Sequence, residues 1–253
     1  GEGGMEVYSE LLEAGELNAR VRILHFPVRM SGGYDEFERN LRAVADAERE
    51  NARFADPRHV RIIGVKIMGD GIPPNMTSWM HDPYVGGGCG GLTVAGDDEA
   101  EREDVLRKMI ALTHRLGYQA GVHITGDRGI DVVVDAFIEA MREFPRDDPR
   151  HYVIHGDFIS RETLQLCAAH GIGVNMNATI KWTIADLEVD FVGAERAAYE
   201  WPYRTALDAG AIVATGSDAP ITFPDWRQGV ETMVLRKSKA SGQVSGPEQR
   251  ITV

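Results

Sequence analysis

Four short apolar runs in this 253-residue sequence end in side chains that can bind a metal or move a proton. The residues that end these runs are Lys66, His123, His155 and Asp218. In barrels of alternating strands and helices, catalytic groups lie at the C-terminal ends of the parallel strands. One lysine, two histidines and one aspartate at such positions therefore predict a metal-dependent hydrolase.

Lys66 has three possible roles at the end of its strand. Burial among apolar residues lowers the pKa of a lysine, and a neutral lysine is a nucleophile. It could form a Schiff base with a carbonyl substrate, or it could react with carbon dioxide to give a carbamate that bridges two metal ions. The structural alternative is an ion pair with an acidic neighbour such as Asp70.

His123 and His155 end two consecutive strands, and neutral imidazole is a common zinc ligand. The structural alternative for each is a hydrogen-bonded core histidine. Asp218 follows the last strand in a Gly-Ser-Asp-Ala-Pro run. We expect its carboxylate to bind metal and to act as the general base, although Asp and Pro also favour a simple turn.

A second group of polar and aromatic residues lies just beyond the strand ends or in the long loops. We expect these side chains to support the metal ligands or to contact the substrate. They are Asp70, Asp127, Arg128, His81 and Trp182.

The elements that must position these residues alternate between strand and helix patterns, which predicts a parallel α/β sheet. The predicted strands are 20–28, 60–68, 118–124, 151–155, 172–177 and 211–216. The predicted helices are 6–15, 35–53, 98–116, 129–144, 161–170, 202–209 and 226–239. Segments 69–96 and 178–198 are predicted to be loops, the first of them a flexible lid. About six βα units result, so we expect a (β/α)8 TIM-barrel type that is incomplete, because a closed barrel needs eight.

The bulk composition excludes several classes of protein. A formal charge of −12 disfavours nucleic acid as a partner, and no apolar run is long enough to span a membrane. Cys89 and Cys167 lack the spacing of a zinc ribbon, so we expect free thiols. The first residues do not form a signal peptide, and we therefore expect a cytoplasmic protein. We also expect it to act on a small-molecule substrate.

Taken together and in order, these segments resemble the amidohydrolase superfamily, and more closely its amidohydrolase family 3, the YtcJ-like proteins. The matching segments are Val-Lys-Ile-Met-Gly-Asp-Gly at 65–71, Val-His-Ile-Thr-Gly-Asp-Arg at 122–128, Val-Ile-His-Gly at 153–156 and Gly-Ser-Asp-Ala-Pro at 216–220. The stretch at 195–210 is also similar to that group.

The resemblance implies a distorted TIM barrel with one or two divalent metals, zinc being the expected ion. It implies that Lys66 is a carboxylated bridging ligand and that His123 and His155 bind the second metal. It further implies that Asp218 binds the first metal and acts as general base while a metal-activated hydroxide attacks an amide or other non-peptide C–N bond.

The sequence differs from the family pattern because it contains no His-x-His, the motif that supplies two further ligands in the family. We expect residues 1–253 to form one partial catalytic barrel without the β-sandwich of the family. Open sheet edges would favour association between copies of the chain. Two alternatives stay open: a truncated or degenerate barrel without activity, and a metal-free aldolase or lyase with Lys66 as the Schiff base.

Overall fold

Six apolar, β-branched runs form a parallel sheet whose strand order follows the sequence. The computed structural model describes residues 2–44 and 46–252. The strands are β1 Val21–His25, β2 Val60–Met68, β3 Gln119–Ile124, β4 Tyr152–His155, β5 Gly173–Met176 and β6 Ile212–Thr215. Each strand pairs in parallel with the next, in the order β1-β2-β3-β4-β5-β6. The predicted α/β fold of barrel type is confirmed, with the sheet open between β1 and β6 over the described residues.

Helices connect the strands and cover the outer face of the sheet. They are α1 Glu2–Glu13, α2 Tyr34–Ala43, α3 Ala47–Asn51, α4 Glu99–Arg115, α5 Asp127–Glu143, α6 Arg161–His170, α7 Ala178–Val192, α8 Ala194–Tyr199, α9 Tyr203–Asp208 and α10 Trp226–Leu235. Local chemistry sets several of these limits. Ser160 accepts a hydrogen bond from Thr163 N at the start of α6, and Gly171 ends that helix at a φ of +65°.

The predicted continuous helix at 35–53 is wrong, because the segment contains two helices, α2 and α3. Val44 leaves the helical region with a ψ of 126°. Asp46 then starts α3, and its side chain accepts a hydrogen bond from Arg49 N. A side chain that caps a new helix therefore interrupts a run that has helical spacing throughout.

The predicted loop at 178–198 is also wrong, since it forms α7 and α8. The helical pattern was hidden because α7 buries polar residues and exposes apolar ones. Lys181 is 2% exposed and Glu188 is fully buried, whereas Leu187 is 54% exposed and Val189 is 43% exposed. Trp182 consequently lies on a helix and not in a loop.

The core lies between the sheet and its covering helices. Val65 on β2, Val122 on β3, Ile110 on α4 and Phe137 on α5 are all fully buried within it. β6 is different, because Ile212 at its start is 62% exposed and Ala214 and Thr215 are exposed as well. Among the described residues, no helix is both long and apolar enough to cross a membrane.

The sheet register brings the candidate site residues to one edge. Met68 lies opposite His123, and Ile124 lies opposite His155, so the ends of β2, β3 and β4 are neighbours. The long segment 69–96 has no strand and only a 3-10 turn at Pro73–Asn75. It packs closely on the strand ends, with Trp79, Met80 and Tyr84 at most 3% exposed.

Candidate metal site at the strand ends

His123 and His155 form a close pair at the ends of β3 and β4. Their ring centroids are 4.5 Å apart, and the rings meet edge to face at 73°. Both side chains are buried, at 7% and 6% exposure. Burial, with the facing His155 ring and the Lys66 charge, lowers the pKa of His123 to about 3, and burial together with Lys66 lowers the pKa of His155 to about 4. Both imidazoles are therefore neutral near pH 7.

The hydrogen bonds of the two rings determine which nitrogens are free. His123 Nε2 lies 2.9 Å from Gly71 O, and a carbonyl can only accept, so the ring donates from Nε2. His155 Nδ1 lies 2.7 Å from Asn177 Oδ1 and donates there. The lone pairs left are those of His123 Nδ1 and His155 Nε2, and neutral imidazole with a free lone pair is what a zinc site requires. This donor set fits a metal.

Lys66 lies on β2 and acts electrostatically on both histidines and on Asp218. Burial lowers the pKa of Lys66 to about 8, and the Asp218 carboxylate opposes that shift. Asp218 follows β6 at the solvent-exposed rim, in a left-handed conformation with a φ of +54°. Partial desolvation raises the pKa of Asp218, and the Lys66 cation opposes that change. Lys66 and Asp218 thus carry opposite charges that act on each other.

The four residues do not form a complete ligand set in this conformation. Within residues 2–44 and 46–252, no three His, Cys, Asp or Glu side chains converge closely enough to hold a metal ion by themselves. Lys66, whose charge acts on both rings, is the further group that the sequence predicts at this site.

Asp70 supports the site without contacting its centre. Its carboxylate is fully buried and accepts hydrogen bonds from Trp79 N, Gly126 N, Thr125 N and the Thr125 hydroxyl, at 2.9 to 3.1 Å. Burial raises the pKa of Asp70 to about 7 against these four donors. Asp70 therefore fastens the segment after β2 to the turn after β3. Its Oδ1 is 4.0 Å from His123 Nε2, too far for a hydrogen bond.

Asp127 and Arg128 begin α5, and His81, in the 69–96 segment, lies next to Asp127. Asp127 Oδ1 accepts from the backbone N–H groups of His81 and Arg128, each at 2.8 Å. His81 Nε2 lies 2.9 Å from Asp131 Oδ2, within a surface cavity of about 940 Å³. The Arg128 guanidinium stacks 4.4 Å from the centre of the Trp79 ring.

Trp182 lines a separate cavity of about 350 Å³ beside the loop that carries Asp218. Phe223, Ile221 and Lys239 also line it, and the Lys239 ammonium lies 5.0 Å from the centre of the Trp182 ring. The walls are mixed, because Asp225, Gln228 and three threonines lie beside the apolar side chains. The candidate metal ligands themselves do not line this cavity.

Asn177 is a site residue that sequence reasoning missed. It directly follows β5, the one strand in the series β2 to β6 for which no functional side chain was predicted. Its side chain contacts His155 and, through Nδ2, the backbone of Gly216 at 2.9 Å. A polar residue at the end of a central strand was the available signal, but asparagine there also fits a helix cap.

Comparison with known proteins identifies the family of this chain. The amidohydrolase family model matches residues 2–253. YtcJ, a protein of Bacillus subtilis (strain 168) named as an amidohydrolase, is 26% identical over 190 residues, covering 75% of this chain and 34% of that protein. The chain thus spans about a third of the length of that curated relative.

Two solved structures share the fold. Both are uncharacterized metal-dependent hydrolases, one from Pyrococcus furiosus and one from Pyrococcus horikoshii OT3, and each superposes with a TM-score of 0.70. The identities are 23% and 21%; the matches cover 98% and 97% of this chain and 46% and 44% of the respective structures. With the family model matched over the whole described length, the chain belongs to amidohydrolase family 3.

Proposed function

We propose that this chain carries the metal-binding part of a hydrolase that cleaves amide or other non-peptide C–N bonds. The observation that carries the proposal is the pair of buried, neutral imidazoles, His123 and His155, each with one nitrogen occupied and one free. A lysine of lowered pKa acts electrostatically on both rings. Membership of a hydrolase family supports the same chemistry.

The residues that would hold the metal follow from their free donor atoms. His123 Nδ1 and His155 Nε2 would be the nitrogen ligands, and zinc is the ion that such a set suits. A lysine with a pKa of about 8 is substantially neutral at mildly alkaline pH. Its amine could take up carbon dioxide, release a proton and present a carbamate oxygen as a further ligand. A bound metal would polarise the scissile carbonyl and acidify a water molecule.

Asp218 is suited to move the proton in this reaction. It lies at the rim, faces the Lys66 charge and is reached by solvent. Its carboxylate would accept the proton of the attacking water and return it to the leaving nitrogen. The cavity that Trp182 and Phe223 line, beside the Asp218 loop, would hold the acyl or amine portion of a small substrate.

Lys66 also supports a second candidate, a Schiff-base aldolase or lyase. Its lowered pKa is the property that imine formation needs. If Lys66 forms a Schiff base, borohydride added with a carbonyl substrate would trap an adduct on Lys66. The two free imidazole nitrogens have no role in it, which is why the hydrolase is preferred.

The test is hydrolysis of a panel of N-formyl and N-acyl amines by the zinc-loaded chain. Asp218→Asn should lower kcat by about 10²–10⁴-fold, the usual contribution of a general base. Asp208→Asn, which removes a surface carboxylate that pairs with Arg204, is the matched control and should leave kcat unchanged. Equal rates for Asp218→Asn and the control, or no turnover of any substrate, would contradict the proposal.

A further inference from the structure

Asn177 occupies the point where three strand ends meet. It directly follows β5, which lies between β4 with His155 and β6, after which Asp218 comes. Its side chain is 2% exposed. A buried amide needs partners for its oxygen and its NH2 group, so its contacts are specific features of the fold.

The amide of Asn177 bonds to both neighbouring strand ends. Its Oδ1 accepts from His155 Nδ1 at 2.7 Å, and its Nδ2 donates to Gly216 O at 2.9 Å. Because Gly216 O can only accept, the NH2 group must face it, and this fixes the oxygen toward the histidine. Gly216 stands two residues before Asp218, so one side chain connects the backbone before Asp218 to the His155 ring.

A capping role does not explain this residue. Asn177 stands at the N-cap position of α7, where asparagine usually accepts a hydrogen bond from the first turn of the helix. Here its side chain makes no capping hydrogen bond. The amide is directed instead at the two strand ends, even though this leaves the helix start uncapped by that side chain.

The contact also selects the tautomer of a strained histidine. A neutral imidazole carries one N–H, and an acceptor at Nδ1 favours the form that leaves Nε2 free. His155 has a φ of +79°, a left-handed conformation that a residue with a side chain rarely adopts. Asn177 therefore helps to hold a ring whose backbone is in an unfavourable conformation.

We propose that Asn177 is a positioning residue that fixes His155 with Nε2 free for a metal and holds the Asp218 loop beside it. The effect on metal binding rests on the proposed function. The tautomer of His155 in metal-free protein is independent of that function, because it follows from the contact with Asn177 alone.

Two variants separate the two halves of the amide. Asn177→Leu removes both the acceptor and the donor, whereas Asn177→Asp keeps an acceptor for His155 and loses the donor to Gly216. Asn175→Leu is the matched control. Asn175 lies two residues earlier on the same strand, and in the described part of the chain its side chain makes no hydrogen bond.

The readouts are the ¹⁵N chemical shifts of His155 in metal-free protein and the zinc affinity by calorimetry. We expect the Nδ1–H tautomer in the unaltered chain, in Asn177→Asp and in Asn175→Leu, and its loss in Asn177→Leu. We expect Asn177→Leu to weaken zinc binding by about 10- to 100-fold, the usual cost of removing the partner of a ligating histidine. Asn175→Leu should bind zinc as the unaltered chain does.

An Nε2–H tautomer in the unaltered chain, or unchanged shifts in Asn177→Leu, would overturn the assignment of Asn177. Failure of the unaltered chain to bind zinc would instead contradict the proposed function. The tautomer measurement would then still test whether Asn177 positions His155. A fold loss in Asn177→Leu is recognised by circular dichroism, in which case Asn177→Ala, which also lacks the acceptor and the donor, serves as the second variant under the same expectations.

Discussion

At the scale of single residues, Lys66 gives the most direct chemical prediction. Its pKa of about 8 means that the neutral amine becomes the main form as the pH rises through that value. Carbamate formation should therefore increase over the same pH range in zinc-loaded protein given ¹³C-labelled bicarbonate. A carbamate resonance should appear by ¹³C NMR and be absent from Lys66→Met.

Lys108→Met is the control for the carbamate experiment. Lys108 lies on the surface of α4, where a hydrogen bond to Asp104 raises its pKa, so its amine stays charged. That variant should retain the resonance. A signal of equal strength in Lys66→Met would show that the carbamate forms elsewhere.

Asp70 leads to a prediction about stability. Asp70→Asn would turn an NH2 group toward backbone donors such as Trp79 N and Gly126 N, which would lose their acceptor. Because buried donors without partners are costly, we expect a loss of about 3 kcal/mol in the free energy of unfolding, measured with urea. A loss as small as that of the surface variant Asp208→Asn would contradict the anchoring role.

Candidate site residues could be recognised from the sequence only where they end a strand pattern. Lys66, His123 and His155 stand at the ends of apolar runs, and the register brings their strands together. The part played by Asn177 could not be predicted, because its partners lie 22 and 39 residues away and depend on the folded sheet. Asp70 is predicted from sequence to lie beside the site, but its four backbone and hydroxyl donors come from segments whose packing the sequence does not reveal.

At the scale of elements, strands were easier to predict than helices. The strand predicted at 60–68 matches β2 residue for residue, because its apolar run is bounded clearly by turn residues. α7 was missed since its inward face carries Lys181, which donates to Glu200 Oε2 at 3.1 Å. A buried ion pair replaces apolar residues at the positions that define an amphipathic pattern.

A buried histidine chain joins α4, α5 and the starts of β3 and β4. Ala120 N donates to His151 Nδ1, so His151 donates from Nε2 to His114 Nδ1, and His114 donates from Nε2 to Phe144 O. The distances are 2.7 to 2.9 Å. Both rings must be neutral for every link to form.

The buried histidines His114 and His151 predict a loss of stability in acid. Burial, reinforced by His114 and Arg146, lowers the pKa of His151 to about 3, below its ordinary value of 6.5. Between those values the unfolded chain binds a proton that the folded chain does not, so stability falls as the pH decreases from 6.5. His151→Gln should remove about 1.4 kcal/mol per pH unit of that dependence, measured by urea unfolding between pH 6.5 and 4. Parallel pH profiles for the two proteins would contradict this.

At the scale of the whole molecule, the open sheet exposes apolar surface near β6. Ile212 is 62% exposed, Phe223 is 82% exposed and Trp226 is 75% exposed. Unpaired strand edges and exposed apolar patches favour association. We propose that the isolated chain self-associates through this region, which light scattering after size exclusion would show as a mass that rises with concentration.

The double variant Phe223→Ser with Trp226→Ser should reduce that association. Leu187→Ser is the control, because Leu187 is 54% exposed on α7, outside β6 and the segment that carries Phe223 and Trp226. A chain that stays monomeric as its concentration rises, or equal association of both variants, would contradict the proposal.

We propose that His123 and His155 together hold a metal ion at the strand ends. Anomalous diffraction at the zinc edge from zinc-loaded crystals would locate that ion. We predict one dominant peak bonded to His123 Nδ1 and His155 Nε2, adjoining Lys66. A dominant peak elsewhere, for example between His81 and Asp131, or no peak from crystals soaked in zinc, would show that the two histidines do not bind the metal.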